Sequence, residues 1–221
     1  MRGLKTSLSL TLLSLVILFS CAPLSRTIPA VTDETLERFL RNEAMRIVKV
    51  SENSDKAAMY QFRLVQFPRK DILGLSIGNH QIYISYELSR LAYRTEHHLW
   101  LFRHTLAHEI AHDVLGGEVG RKEPISRAAV GLANGITGRD LGLSTNIFFR
   151  SYSSAAELEA DRKGLEYWQR LGWDCRIWIR IFEHFLNHGY QGDVDHPTAE
   201  RLNQSREICP ADARADQKKK A

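Results

Sequence analysis

Residues 106–117 read LAHEIAHDVLGG and hold His108, Glu109 and His112 in the pattern H-E-x-x-H. On a helix, residues four apart lie on one face, so the two histidines can offer ring nitrogens to a single metal ion. Glu109 lies beside them, where its carboxylate can act as a general base. The stretch therefore predicts a zinc site of the hydrolytic kind.

The flanking sequence favours a buried helix around this motif. No proline or glycine interrupts residues 96–115, apolar residues recur at helical spacing, and Gly116 and Gly117 can cap the C-terminal end. His104 lies in the same row one turn upstream, but it is about 12 Å along the axis from His112. Ligands of one zinc ion lie closer together than that, so we expect His104 to pack beside the site.

A hydrolytic zinc site needs three protein ligands, and two glutamates compete for the third position. Glu118 follows His112 by six residues, but Leu115 stands where a glycine is needed to turn the chain back. Glu157 begins a Glu-Leu-Glu-Ala-Asp segment in which Glu157 and Asp161 share one helical face. A carboxylate one turn after a ligand can hold a histidine N–H and orient it, so the pattern favours Glu157.

The rest of the chain predicts an α+β, mainly helical fold with a small antiparallel sheet beside the H-E-x-x-H helix. Helices are expected from residue 33 to 48, 154 to 169 and 174 to 187, and β-rich stretches cover residues 60–67, 73–77 and 81–85. Residues 121–150 suit a pair of short helices or a mobile segment over a cleft. An extended substrate can complete a sheet edge, which we assign to Gln81, Ile82, Tyr83, Ile84 and Ser85.

The N-terminal residues predict export and lipidation. Residues 1–20 combine a basic start with an apolar run that is short for a transmembrane helix. The next residue, Cys21, ends a Leu-Phe-Ser-Cys sequence that resembles the lipobox of bacterial lipoproteins. Ala22 gives no inner-membrane retention signal, so a lipid anchor at the periplasmic face of the outer membrane is expected. An ordinary cleaved signal peptide is the alternative.

Composition indicates one globular domain without a nucleic-acid partner. The chain has 221 residues, 43% hydrophobic and 25% charged, and loss of Arg2 and Lys5 with the signal peptide lowers the formal net charge from +4 to about +2. We divide it into a signal peptide (1–20), a lipid-anchored tether (21–31), a metal-binding domain (32–209) and a flexible tail (210–221). Because the cell envelope is oxidising, a Cys175–Cys209 disulfide is expected, with two free thiols as the alternative.

Three sequence elements together resemble a known family. They are HEIAH at residues 108–112, ELEADRKG at residues 157–164, and His196-Pro197 followed by Arg201. The set resembles the HtpX-like and CAAX-prenyl-protease-related zinc metallopeptidases (metallopeptidase family forty-eight), a gluzincin group. The resemblance implies a gluzincin-type domain with one zinc ion bound by His108, His112 and Glu157.

The same resemblance implies roles for the remaining site residues. Glu109 would be the general base, Asp161 would support a zinc-binding histidine, and His196 and Arg201 would lie near the cleft. In the mechanism expected for such a site, His196 or Arg201 stabilises the oxyanion. The expected function is zinc-dependent cleavage of unfolded or misassembled envelope polypeptides. An envelope protein partner is compatible with this function. The alternative is an envelope chaperone or binding lipoprotein whose zinc is structural, or whose site is closed by His196.

Overall fold

The computed structural model describes residues 28–68, 70–116, 152–192 and 197–209. Some of the features predicted from the sequence lie outside these ranges: the signal peptide, Cys21, most of the tether, Glu118, residues 121–150, His196 and the tail at 210–221.

Helices make up most of the described chain and pack against one small sheet, which confirms the mainly helical α+β class. In order, the elements are α1 (Glu34–Val48), a 3₁₀ helix (Ser54–Met59), β1 (Gln61–Val65), β2 (Gly74–Gly78), β3 (Gln81–Ser85), α2 (Tyr86–Ala92), α3 (Glu96–Gly116), α4 (Ser154–Arg170), α5 (Cys175–Asn187) and α6 (Thr198–Ile208). The 3₁₀ helix, α2 and α6 were not among the elements predicted from the sequence. No helix in the described part of the chain combines the length and apolar character needed to cross a bilayer.

Side-chain caps start three of the predicted helices. Asp33, Ser153 and Asp174 precede α1, α4 and α5, and each side chain accepts hydrogen bonds from backbone N–H groups of the first turn. Such caps satisfy donors that have no partner within the helix. The helix starts therefore follow from local sequence, close to the predicted positions.

The sheet is mixed, so the prediction of an antiparallel sheet is wrong for one of its two pairings. The strand order is β1-β3-β2, with β2 antiparallel and β1 parallel to β3. Asn79 and His80 form the two-residue turn between β2 and β3 at φ values of 52° and 61°. That left-handed turn closes a hairpin and makes this pair antiparallel. β1 occupies the other side of β3, where its direction is set by packing and not by a turn.

Helix α3 is the centre of the core. Its Phe102, Leu106, Ala107, Ile110 and Ala111 are fully buried. The helix packs against α4, α2, α1 and strand β2, which cover its faces. A helix that is enclosed in this way holds polar side chains in fixed positions only if neighbouring elements supply their partners.

The close crossing of α3 and α4 depends on Gly164. A Cβ atom at this position would lie 2.9 Å from the Trp178 ring and 3.2 Å from the backbone of Ala107. The absent side chain lets the two helices approach closely. Since Glu157 and Asp161 lie on the same helix as Gly164, this approach brings their carboxylates towards α3.

Two further links join distant parts of the chain. Cys175, the first residue of α5, and Cys209, which follows α6, form a disulfide with a Cα–Cα distance of 6.0 Å, as predicted.

The second link joins Glu52 to α4. Glu52 accepts a hydrogen bond from the Tyr167 hydroxyl at 2.6 Å and pairs with Lys163 at 3.2 Å. Burial alone would raise the pKa of Glu52, but these partners lower it to about 2.

Candidate metal centre

Donor atoms from α3 and α4 converge at one buried point. The Nε2 atoms of His108 and His112 are 3.0 Å apart. The Glu157 carboxylate lies 3.0 Å from the first through Oε2 and 3.1 Å from the second through Oε1. All three residues are buried, and the group could hold a metal ion.

The spacing and chemistry of these donors fit zinc. Ligands about 2.0–2.2 Å from a tetrahedral zinc ion are about 3.3–3.6 Å from one another, so the observed separations need only a small outward adjustment. Two imidazoles and one carboxylate also form a donor set found in catalytic zinc sites, which keep a fourth position open. Calcium and magnesium prefer sites made of oxygen alone. The residues present therefore suit a transition metal.

Electrostatics favour a positive charge at this point. Burial alone lowers the pKa of His108, but the carboxylates of Glu157 and Asp161 raise it to about 10. Burial raises the pKa of Glu157, but His108 and His112 reverse this effect and hold that pKa well below its usual range. A cation bound between these groups would take the place of a proton, so metal binding is expected to release protons.

Asp161 and Arg201 support His108 from the side of its Nδ1 atom. Nδ1 of His108 is 2.9 Å from Oδ1 of Asp161, and Arg201 donates through both Nε and Nη2 to the same carboxylate. Burial raises the pKa of Asp161, but Arg201 and His108 lower it further than burial raises it. An ionised Asp161 accepts the Nδ1 proton of His108, which leaves the lone pair of Nε2 available to a metal.

Arg201 lies beside His108, on the side of its Nδ1 atom. Its guanidinium pairs with Asp161, lies 3.3 Å from Nδ1 of His108 through Nη2, and sits over the Phe182 ring at 4.9 Å. These contacts are on the Nδ1 side of His108, whereas the donor cluster is on its Nε2 side. Arg201 is thus placed to orient Asp161 and, through it, His108.

Glu109 is held by strand β2. Its Oε2 accepts the backbone N–H of Ser76 at 2.7 Å, and the residue is buried. Gly74, two residues earlier on the strand, leaves the space that this side chain occupies. A Cβ at Gly74 would lie 2.8 Å from Cγ of Glu109 and 2.7 Å from Cγ2 of Thr105. Glu109 therefore depends on β2 for its orientation.

The substrate edge assigned to residues 81–85 is wrong. Strand β3 is the central strand, and both of its edges are paired. Among the described strands, the outer one next to α3 is β2, which carries the backbone contact to Glu109. Periodicity reveals that a strand exists but not which neighbours it has, since pairing joins residues distant in sequence.

Asp113 is a site-adjacent residue that the sequence analysis missed. It directly follows His112, and its carboxylate accepts the His80 backbone N–H at 2.9 Å and lies 2.7 Å from His80 Nδ1. These bonds tie the β2–β3 turn to α3 and so fix the strand that orients Glu109. In the sequence, the role of Asp113 is indicated only by its position next to His112. Its partner His80 is 33 residues away.

Aromatic rings pack against two of the histidines of α3. The Tyr152 ring stacks on His112 with centroids 3.7 Å apart and an interplanar angle of 15°. His104 packs against Trp178 at 4.1 Å and Phe182 at 5.2 Å. Burial lowers the pKa of His104 to about 3, so it is neutral. As predicted, it packs beside the donor cluster and does not belong to it.

No protein-family model and no curated protein matches this sequence.

Proposed function

We propose that the protein is a zinc-dependent endopeptidase. The observation that carries this proposal is the buried His108–His112–Glu157 donor set, with Glu109 on the same helix and its carboxylate held by a backbone N–H. A structural zinc site has four protein ligands and no use for a neighbouring base. Three donors with an adjacent, oriented carboxylate are what metal-assisted hydrolysis requires.

The resemblance to the HtpX-like metallopeptidases supports the same conclusion. The family pattern expects a glutamate and an aspartate one turn apart on a second helix, and Glu157 and Asp161 occupy those positions against His108. We therefore propose membership of that gluzincin group.

In the proposed mechanism His108, His112 and Glu157 would hold the zinc ion. Zinc, when bound, supplies Lewis acidity that lowers the pKa of water and polarises a scissile carbonyl. Glu109 accepts the proton of the attacking water and delivers it to the leaving amine. Its hydrogen bond from Ser76 leaves the other carboxylate oxygen to take that proton. Asp161 and Arg201 keep Nε2 of His108 aimed at the donor cluster.

We assign the substrate-pairing edge to β2 in place of β3. β2 is an outer strand, and its contact with Glu109 lies on the side facing away from β3. An extended peptide lying along that side would pass next to the proposed base. Backbone pairing of this kind accepts many side chains, which suits unfolded polypeptides as substrates.

The central experiment replaces Glu109 by glutamine. Zinc content should stay at the wild-type level, while cleavage of an unfolded polypeptide should fall by about 10²–10⁴-fold, the contribution of a general base. Glu159→Gln is the matched control, because Glu159 is half exposed on α4 and pairs with Arg162. It should keep both zinc and activity.

Two outcomes would contradict the enzymatic proposal. A Glu109→Gln variant that cleaves at the wild-type rate removes Glu109 from the mechanism. A wild-type protein that binds zinc through His108, protects unfolded polypeptides and never cleaves them indicates the chaperone function instead. Metal analysis of His108→Ala completes the set, since this variant should lose one equivalent of zinc relative to wild type, and an unchanged zinc content would contradict the buried centre.

We also propose that the protein is lipid-anchored in the bacterial envelope through Cys21. This rests on the lipobox-like sequence alone. Metabolic labelling with a fatty acid should mark the wild type but not Cys21→Ser. Equal labelling of both would refute the anchor without bearing on the metal site.

A further inference from the structure

A second group of histidines lies on the surface, where α3 begins and α5 ends. His184 and His188 are four residues apart, with ring centroids separated by 4.0 Å. His97, in the first turn of α3, places its ring 5.2 Å from that of His184. All three side chains are exposed. Three imidazoles from two helices thus gather at one place on the surface.

This group is separate from the buried centre. His97 and His108 lie eleven residues apart on α3, which corresponds to about 16 Å along the axis. No ligand of the buried centre takes part in the contacts of the surface histidines. A ligand of the surface group would therefore occupy a site separate from the proposed peptidase site.

The spacing of the surface pair is close to that of the buried ligands. His108 and His112 are also four residues apart on a helix, and their ring centroids are separated by 4.5 Å. Two imidazoles on one tetrahedral zinc ion have centroids about 5 Å apart, a value that lies between the two surface distances. An i, i+4 pair on a helix can therefore chelate one ion, with His97 as the additional donor.

Hydrogen bonding prepares one of these rings as a ligand. Nδ1 of His188 is 2.9 Å from the backbone carbonyl of His184. A carbonyl can only accept, so Nδ1 carries the proton and the lone pair is on Nε2. A backbone carbonyl that holds one ring nitrogen while the other binds metal is the usual arrangement for histidine ligands.

The side chains of the surface group can adjust to bind one ion. Among the described residues, only the buried group has three donor atoms within 4.8 Å of one another. The donor atoms of the surface group lie farther apart. Rotation of these exposed side chains can bring them together.

We propose that His97, His184 and His188 form a second, surface site for a divalent transition-metal ion of the Zn²⁺, Cu²⁺ and Ni²⁺ class. Imidazole nitrogen suits these ions, and water would complete the coordination of an exposed site. Bound there, the ion would link the start of α3 to the end of α5.

The test is a Zn²⁺ titration of the metal-stripped full chain at neutral pH, in competition with a chromophoric chelator. The wild type should bind two equivalents. The double variant His184→Ala/His188→Ala should bind one, and so should His108→Ala. His97→Ala should bind two, with the weaker site loosened by at least about tenfold, since a direct ligand contributes no less than a supporting residue.

Arg180→Ala is the matched control. Arg180 is exposed on α5 one turn before His184 and offers no imidazole, so both equivalents should remain. Circular dichroism of each variant establishes that the helices are intact. A wild type that binds a single equivalent, unchanged in the His184/His188 double variant, overturns the surface site. If the wild type binds a single equivalent and the double variant binds none, the surface site is supported and the buried zinc centre is contradicted.

Discussion

Replacing Arg201 by alanine tests whether the ion pair behind the metal ligands stabilises the fold. Arg201 donates through two nitrogens to Asp161, and the side chains are only 10% and 1% exposed. Removing Arg201 leaves the buried Asp161 carboxylate only partly compensated, by His108, which lowers the free energy of unfolding by up to about 3–5 kcal/mol. For a chain of this size, the melting temperature should fall by roughly 6–20 °C.

The assay is urea unfolding of the metal-free protein at neutral pH. Arg206→Ala is the matched control, because Arg206 lies on the same helix and pairs with Glu183 at 2.8 Å with side chains 52% and 38% exposed. An exposed pair contributes at most about 1 kcal/mol. Zinc affinity should also fall by about 10–100-fold in Arg201→Ala and stay unchanged in Arg206→Ala, since only Arg201 supports a carboxylate that orients His108.

Equal urea midpoints for the two alanine variants would refute a stabilising role of the Arg201–Asp161 pair. A second variant separates the ion pair from packing. Asp161→Asn in the Arg201→Ala background removes the uncompensated charge, so it should recover part of the lost stability. No recovery would indicate that Arg201 acts through its packing on Phe182 alone.

Three further perturbations follow from contacts elsewhere in the fold. Gly74→Ala should reduce peptide cleavage by displacing the Glu109 carboxylate, whereas Gly116→Ala, where a Cβ would meet no described residue within 4 Å, should be neutral in the same assay. Glu52→Gln should destabilise the protein at neutral pH. The pKa of Glu52 is lowered from 4.5 to about 2 in the folded protein. The difference in the free energy of unfolding between wild type and Glu52→Gln, measured with urea, should therefore shrink as the pH falls through that interval. Replacing both cysteines of the Cys175–Cys209 disulfide by alanine should lower the free energy of unfolding by about 3–4 kcal/mol, and wild type in reductant should match that variant.

The helical part of the site could be predicted from the sequence because helical periodicity is local. Four-residue spacing places His108 with His112, and Glu157 with Asp161, on common faces whatever surrounds the helices. The caps at Asp33, Ser153 and Asp174 depend on the nearest turn alone, and the predicted starts agree with the structure for that reason.

The strand pairing could not be predicted in the same way. A turn signal can close β2 on β3, but the place of β1 beside β3 depends on contacts with residues far away in the chain. The error over the substrate edge has this origin, because alternation shows which residues form a strand and not which edge remains open.

By itself, the sequence determined the four-residue spacings, and it favoured the Cys175–Cys209 pairing and Glu157 as the third donor. Only the tertiary structure decided what orients those groups. It placed Arg201 against Asp161, the Ser76 N–H against Glu109 and Gly164 at the crossing of α3 and α4. The physical reason is that a helix sets the spacing of its own side chains, whereas the partners of a buried polar group come from whichever elements pack against it.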